Sequence, residues 1–381
     1  MYNGSVVIYR LEIDIKAWAP RLAKSVLNSL SLKKGEAVTI EAWTRSLPWV
    51  DAMVVEARRI GALPMVIYES ESAYWENLDQ GRAKGLGTIG SQEWAALKAS
   101  KAYVYFWGPS DRHRWHSLPE ATIKQLTAYE EEWFRVTKEL KLRWCRLELS
   151  RVTEDLAKEY GIDYSEWLLE ILEASTVNTE IMSRHGRKIS AMLEKGREIL
   201  ITHANGTKLE LHLKGGRKPF LDDGVVDEED VKSGYGEINV PSGEVVVAVD
   251  EDFAEGKFIS NRSTSHGPAL GKSEEGEWTF KDGRLVDFAY KRGEKNFRTL
   301  YKKAGPERDR PGIFSIGLNP KLHDAPLYED QELGVVGVWI GANEWLGGST
   351  EGDFRSWLLL RGADVRVDGD LLVKAGKIVS S

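Results

Sequence analysis

Few side chains in this sequence could do chemistry, and their spacing narrows what that chemistry would be. His113 and His116, in DRHRWHS, stand three residues apart, so one helical turn would aim both imidazoles at a single cation. Their polar setting between GPS and LPE favours a surface loop instead. Asp250, Glu251 and Asp252 form a carboxylate run that could hold a hard cation, although such runs usually end as solvated turns. His203 and His212 flank the turn Asn205-Gly206 and read as surface or sheet-edge residues. His266, in STSHGP, lies in a loop that could line a pocket. Cys145 is the single cysteine, which excludes an intrachain disulfide and a cysteine-rich zinc site; within RWCRLEL it reads as a buried thiol. No GxSxG elbow exists to present an activated serine, and no GxxxxGK[ST] loop to cradle a phosphate.

Two textures of chain must position these residues. In the first, apolar periodicity predicts a helix over 16–31, then the strand EAVTIEAW. A second helix over 48–61, ended by Gly61, leads into LPMVIYES. The helix SQEWAALKAS precedes KAYVYFWG, and IKQLTAYEEEWFRVTKEL precedes RWCRLEL. Strands alternating with helices of this length mean βαβ units and a mostly parallel sheet. The turn after EAVTIEAW is TRSLPW, without a glycine, so a dinucleotide's pyrophosphate has no loop to approach. Beyond Gly196 the texture changes to short strands and glycine-rich turns, opening with a hairpin around Asn205-Gly206. The expectation is an α/β protein of two domains. An N-terminal open, mostly parallel α/β sheet domain covers 1–176, and a C-terminal β-rich α+β domain covers 177–381.

The bulk numbers fit that division. A chain of 381 residues is too long for one ordinary core. The net charge of -7 comes with both signs interspersed, so no basic stripe marks a nucleic-acid binder. The start MYNGSVVIYRLEID has no basic region followed by an apolar one, and GVVGVWIGAN is too short to span a bilayer. A cytoplasmic protein without membrane or nucleic-acid partners is expected. Abundant Glu, Lys and Arg beside a single Cys are compatible with a thermophile.

The order of the later motifs is specific. NVPSGE (Asn239 to Glu244) precedes DGRLVDF, SIGLNP (Ser315 to Pro320), GVWIGAN (Gly337 to Asn343), the pair Gly347-Gly348 and VRVDG (Val365 to Gly369). In this order the chain resembles the M29 family of metallo-aminopeptidases, the aminopeptidase T and aminopeptidase S group, over essentially its whole length. The resemblance implies a homodimer whose C-terminal domain holds two divalent ions and removes N-terminal residues from peptides. Two such ions activate a water and polarise the scissile carbonyl, and need five or six carboxylate and imidazole ligands.

Carried over position by position, the family's pattern keeps only Glu244. Ile313 stands at the second glutamate's position, Gly337 at the histidine's, Arg355-Ser356-Trp357 at the H-x-D pair, and Glu344 at the tyrosine's. Isoleucine, glycine and tryptophan cannot ligate, and arginine repels a cation. Three arrangements follow. The alignment is slipped; or a rebuilt single-metal site holds Zn, Co or Mn with Glu244 and some of His323, Glu344, Glu351 and Asp353; or Arg355 fills the former metal cavity, paired with Glu244. The third is preferred, and no cofactor is then expected. Glu244 and Arg355 would act at the centre, with Glu344, Trp357, His266 and His323 around a peptide or small, possibly anionic, molecule in the interdomain cleft. The fold also hosts a ring-cleaving iron dioxygenase, but its iron needs the missing H-x-D pair. A non-catalytic, dimeric assembly or regulatory protein is the remaining alternative.

Overall fold

The computed structural model describes residues 13–265, 272–323 and 325–379; His266 lies outside them. The first strands are β1 (Ala37–Trp43), β2 (Leu63–Glu69), β3 (Ala102–Phe106) and β4 (Arg143–Leu147). They pair in parallel, with β2 at one edge, in the order β2-β1-β3-β4. Each helix between them starts and stops on a local signal. Asp14 caps helix Ile15–Ser29 by accepting from the Lys16 amide, and Gly61, at φ +84°, ends helix Leu47–Ile60. Val38, Ile40, Val104, Phe106, Cys145 and Leu147 are completely or almost completely buried beneath these helices. Burial pushes the Cys145 thiol well above its ordinary pKa, so it is an inert core residue.

The second half is antiparallel. Its strands begin with β5 (Glu198–Thr202), β6 (Lys208–Leu213), β7 (Phe220–Asp222), β8 (Glu237–Val240) and β9 (Glu244–Ile259). They continue with β10 (Ser263–Ser265), β11 (Lys272–Lys281), β12 (Arg284–Arg292), β13 (Pro311–Gly317), β14 (Val336–Gly341) and β15 (Arg355–Leu360). The last are β16 (Asp364–Val367), β17 (Asp370–Lys374) and β18 (Lys377–Ile378). The main path runs β15-β14-β13-β9-β6-β5-β16-β17-β18. β9 joins two surfaces: its first half pairs with β7 and β13, its second with β6 and β11. The Asn205-Gly206 hairpin stands between β5 and β6 as expected, with Gly206 at φ +100°.

Two expectations need correction. The boundary at 176 is crossed, because β8 returns to the N-terminal sheet and pairs in parallel with β4 as its fifth strand. Val226, Ile238, Val240, Leu322 and Tyr328 are buried in that same N-terminal core. Nor are Asp250, Glu251 and Asp252 a solvated turn: they continue β9, and Glu251 is only 3% exposed.

Candidate functional site

A cavity of about 850 Å³ lies where the two halves meet, walled by β4 and the segment after β3 on one side and by β9, β14 and β15 on the other. Trp107, Trp144, Trp339, Trp345 and Trp357 line it, which accounts for part of the high tryptophan content.

The C-terminal wall is a sheet face fixed by register. Side chains two residues apart share a face, and pairing sets Ala248, Ile313, Trp339 and Trp357 in one row across four strands. The next row is Val246, Ser315, Gly337 and Leu359, and Glu244 stands opposite Gly317 in the row after that. The positions that the family resemblance assigned to ligands, 244, 313, 337, 355 and 357, therefore do converge on one face. The groups standing there are mostly not donors. Trp339 and Trp357 stack at 4.8 Å, and Trp339 Nε1 reaches Ser315 Oγ at 3.4 Å. A Cβ at position 337 would lie 2.2 Å from Ser315 Oγ, so no histidine fits there without rearrangement.

Glu244 begins β9 with its Oε2 buried and unpartnered. Burial pushes its pKa well above the usual carboxylate range; the neighbouring carboxylates Asp330 and Asp222 push the same way, and Arg146 opposes them. Asp222, opposite Glu244 in the β7–β9 pairing, is wholly buried. Burial raises it to about 7, although the amide and side chain of Asn239 donate to it, and Asp330 is raised to about 6 mainly by burial. Such carboxyls can hold a proton near neutrality and donate it to a bound group.

The preferred pairing of Arg355 with Glu244 is not what forms. Arg355 Nη2 donates to Glu344 Oε1 at 2.9 Å, with both side chains more than a third exposed at the rim. The 3₁₀ turn Glu344–Leu346 places the carboxylate there. The rebuilt metal set does not assemble either. His323 is exposed; its amide donates to Glu170 at 2.6 Å and its carbonyl accepts from Arg262. Glu351 and Asp353 are exposed as well. Among the described residues, three potential metal-ligating groups lie within 4.8 Å of one another only at Glu198, Glu210 and His212, away from the cleft on β5 and β6. Of the residues expected around a ligand, Trp357 lines the cavity with Glu244 and Arg355, whereas Glu344 reaches it only through Arg355.

The N-terminal wall holds the residues that sequence reading missed. Arg112 and His116 lie in the short helix Arg112–His116, not in a surface loop, and both line the cavity. His113, by contrast, pairs outward with Glu159 at 2.8 Å. Burial, with Arg112 and Arg151 nearby, holds the His116 imidazole down to about 4, hence neutral at pH 7. Glu148 bridges Arg151 at 2.5 Å and Arg146 at 3.6 Å. The one available sequence signal was the alternation of Arg with Trp in RHRW and RWCR.

Comparison with known proteins follows the same lines. No curated protein matches the chain. Wild-type AmpT from Thermus thermophilus superposes with a TM-score of 0.73 at 18% identity, covering 96% of this chain and 100% of that one. 2,5-Dihydroxypyridine dioxygenase from Pseudomonas putida superposes with a TM-score of 0.66 at 16% identity, covering 97% and 99%. At these identities the likeness speaks for the fold. The family description that matches residues 17–304 is that of the thermophilic metalloproteases (M29), and the chain belongs to that family.

Proposed function

We propose that this aminopeptidase-like protein uses its interdomain cleft to bind a small molecule without the two-metal hydrolytic mechanism of a metallo-aminopeptidase. One observation carries the reading. The sheet face where an ion pair would sit is an indole-covered surface, with Ile313, Trp339 and Trp357 in a row and the Ser315 hydroxyl where a side chain at Gly337 would begin. Of the donors that the family pattern requires, the cleft keeps Glu244, and the nearby carboxylates do not form a ligand set with it. Without further carboxylate and imidazole ligands gathered around Glu244, two cations would lack the charge compensation and geometry that hold them. What the cleft does offer is flat aromatic surface, raised carboxyls on one wall and guanidiniums on the other, which suits a small polar ligand with an unsaturated or planar part.

Metal analysis of protein purified without chelators tests this directly. Far less than one equivalent of Zn, Co or Mn per chain is expected, together with no chelator-sensitive release of N-terminal residues from a peptide. Two equivalents that are lost with the cleft's ligand set, and with peptidase activity, would sink the reading.

A homodimer is part of the proposal. The edge strand β2 leaves Leu63, Met65, Val66 and Tyr68 exposed, with Val55 of the adjoining helix 69% exposed. A bare apolar edge of this kind invites a partner. Light scattering should give twice the chain mass, and Val66→Lys should return it to one. A cytoplasmic setting is proposed on the lone buried thiol; among the described residues no helix is long and apolar enough to cross a membrane.

A further inference from the structure

We propose that the N-terminal wall of the cleft is an oxyanion subsite, in which Arg112 and Arg151, gathered about the indole of Trp107, grip a carboxylate or phosphate group of the ligand. The inference rests on the preceding reading only in taking this cleft as the place where ligand binds.

The charge arrangement is the reason. Three guanidiniums, those of Arg112, Arg146 and Arg151, stand 5.0, 5.1 and 4.6 Å from the centre of one indole ring, Trp107. Their counter-charges are unequally shared. Arg146 has Glu237 and Glu148 near it and donates to Asn239 Oδ1 at 3.0 Å. Arg151 takes Glu148 at 2.5 Å. Arg112 is 7% exposed, and no carboxylate among the described residues pairs with it. Its Nε and that of Arg151 are both buried without an acceptor among the described residues, and Arg151 is itself 8% exposed. Nε2 of His116 is unsatisfied on the same wall. The Tyr328 hydroxyl, packed in the N-terminal core near Arg151 and Arg146, and Gln331 Oε1 also line the cavity without a hydrogen-bond partner among the described residues.

A buried guanidinium with another beside it is disfavoured by desolvation and by like charge. Arg112 is accordingly lowered to about 10, yet it stays charged at neutral pH. Stacking on Trp107 and Trp115 offsets part of that cost, but a ring face satisfies no N–H in the plane of the guanidinium. Both arginines line the cleft, and planar guanidinium donors there match an oxyanion, to which arginine donates paired, charge-assisted hydrogen bonds. A neutral ligand would leave the surplus charge where it is.

The test uses the whole protein and two probes, inorganic phosphate and acetate, each replacing chloride at constant ionic strength and pH. Thermal unfolding of the wild type should move to higher temperature and saturate with at least one of the two, and the one that acts identifies the group. Arg112→Met keeps the bulk over Trp107 and removes the charge. It should unfold at the same or a higher temperature in chloride and raise the half-saturating concentration at least tenfold. Arg112→Lys, which folds with charge but without the planar fork, should keep a weaker response. Exposed Arg59→Met should behave as wild type. No oxyanion-specific shift in the wild type, or an undiminished shift in Arg112→Met, overturns the proposal. Because Arg112 lies on the wall opposite Glu244, metal analysis can reject the reading of the preceding subsection while this result stands, and the reverse.

Discussion

Two glutamates on one strand, Glu244 and Glu251 of β9, have opposite fates. Burial alone would raise Glu251, but Arg217, the Ser349 amide and Asn343 outweigh it and hold the carboxyl at about 2. Those donors lie at 2.7, 2.7 and 2.9 Å. Glu244 has a buried oxygen that nothing among the described residues satisfies, and its carboxyl is pushed well upward. The strand and the side chain are the same, so the difference lies in what the neighbours supply. A carboxylate that the fold has fully partnered belongs to its stability; one left bare at a cavity is available to a ligand.

Breaking the satisfied member should cost most. Glu251→Ala strands Arg217, whose side chain is only 8% exposed, and should lower the unfolding free energy by about 3–5 kcal/mol in urea titrations. A loss under 1 kcal/mol would erase the contrast. Acid should undo the same interaction by protonation. The folded pKa lies below the unfolded value of 4.5, so the stabilisation is full only above that pH and drains away as pH falls toward about 2. Its full size is on the order of 3 kcal/mol. The stability gap between wild type and Glu251→Gln should narrow across that interval and stay constant from pH 5 to 8.

The bare member should respond in the other direction. Glu244→Gln removes a desolvated charge beside Asp222 and Asp330, so stability at pH 8 should hold or rise by about 1 kcal/mol while ligand affinity drops. Marked destabilisation would mean that Glu244 has a structural partner after all. The smallest stability effect is expected at the rim. Arg355→Ala breaks an ion pair whose members are 37% and 39% exposed, worth no more than about 0.5 kcal/mol. Any consequence for Arg355 should therefore appear in binding, and a melting-temperature change of many degrees would assign it a packing role instead.

Much of the framework was legible because it is local. Helix periodicity, Gly61 as a stop, and Asn205-Gly206 as a hairpin act within a few residues, and the structure follows them. β8 was not legible as part of the first sheet, since four residues carry little pattern and its partner β4 lies far back in the chain. The metal positions were read from a family's motif order, and strand register does bring them to one face. The partner of Arg355 could not be read that way, because it depends on a three-residue 3₁₀ turn. Arg112 and His116 were hidden for a different reason. Polar residues between two turn signals look solvated in sequence, and only the arrival of Trp107, Arg146 and Arg151 from other segments buries them. Glu251 was misjudged likewise, its acidic neighbours suggesting solvent where Arg217 and Asn343 in fact meet it.

The brief crossing from β8 to β9 has a mechanical side. Val240 ends in the first sheet, Glu244 starts the second, and only Pro241, Ser242 and Gly243 lie between. That link is clamped: Asn319 Nδ2 donates to Ser242 O at 2.7 Å, and a Cβ at Gly243, where φ is +139°, would lie 2.7 Å from the Asn319 Cβ. The seam between the two sheets thus fixes the backbone at Glu244, whereas Arg355 stands on the edge strand of its sheet.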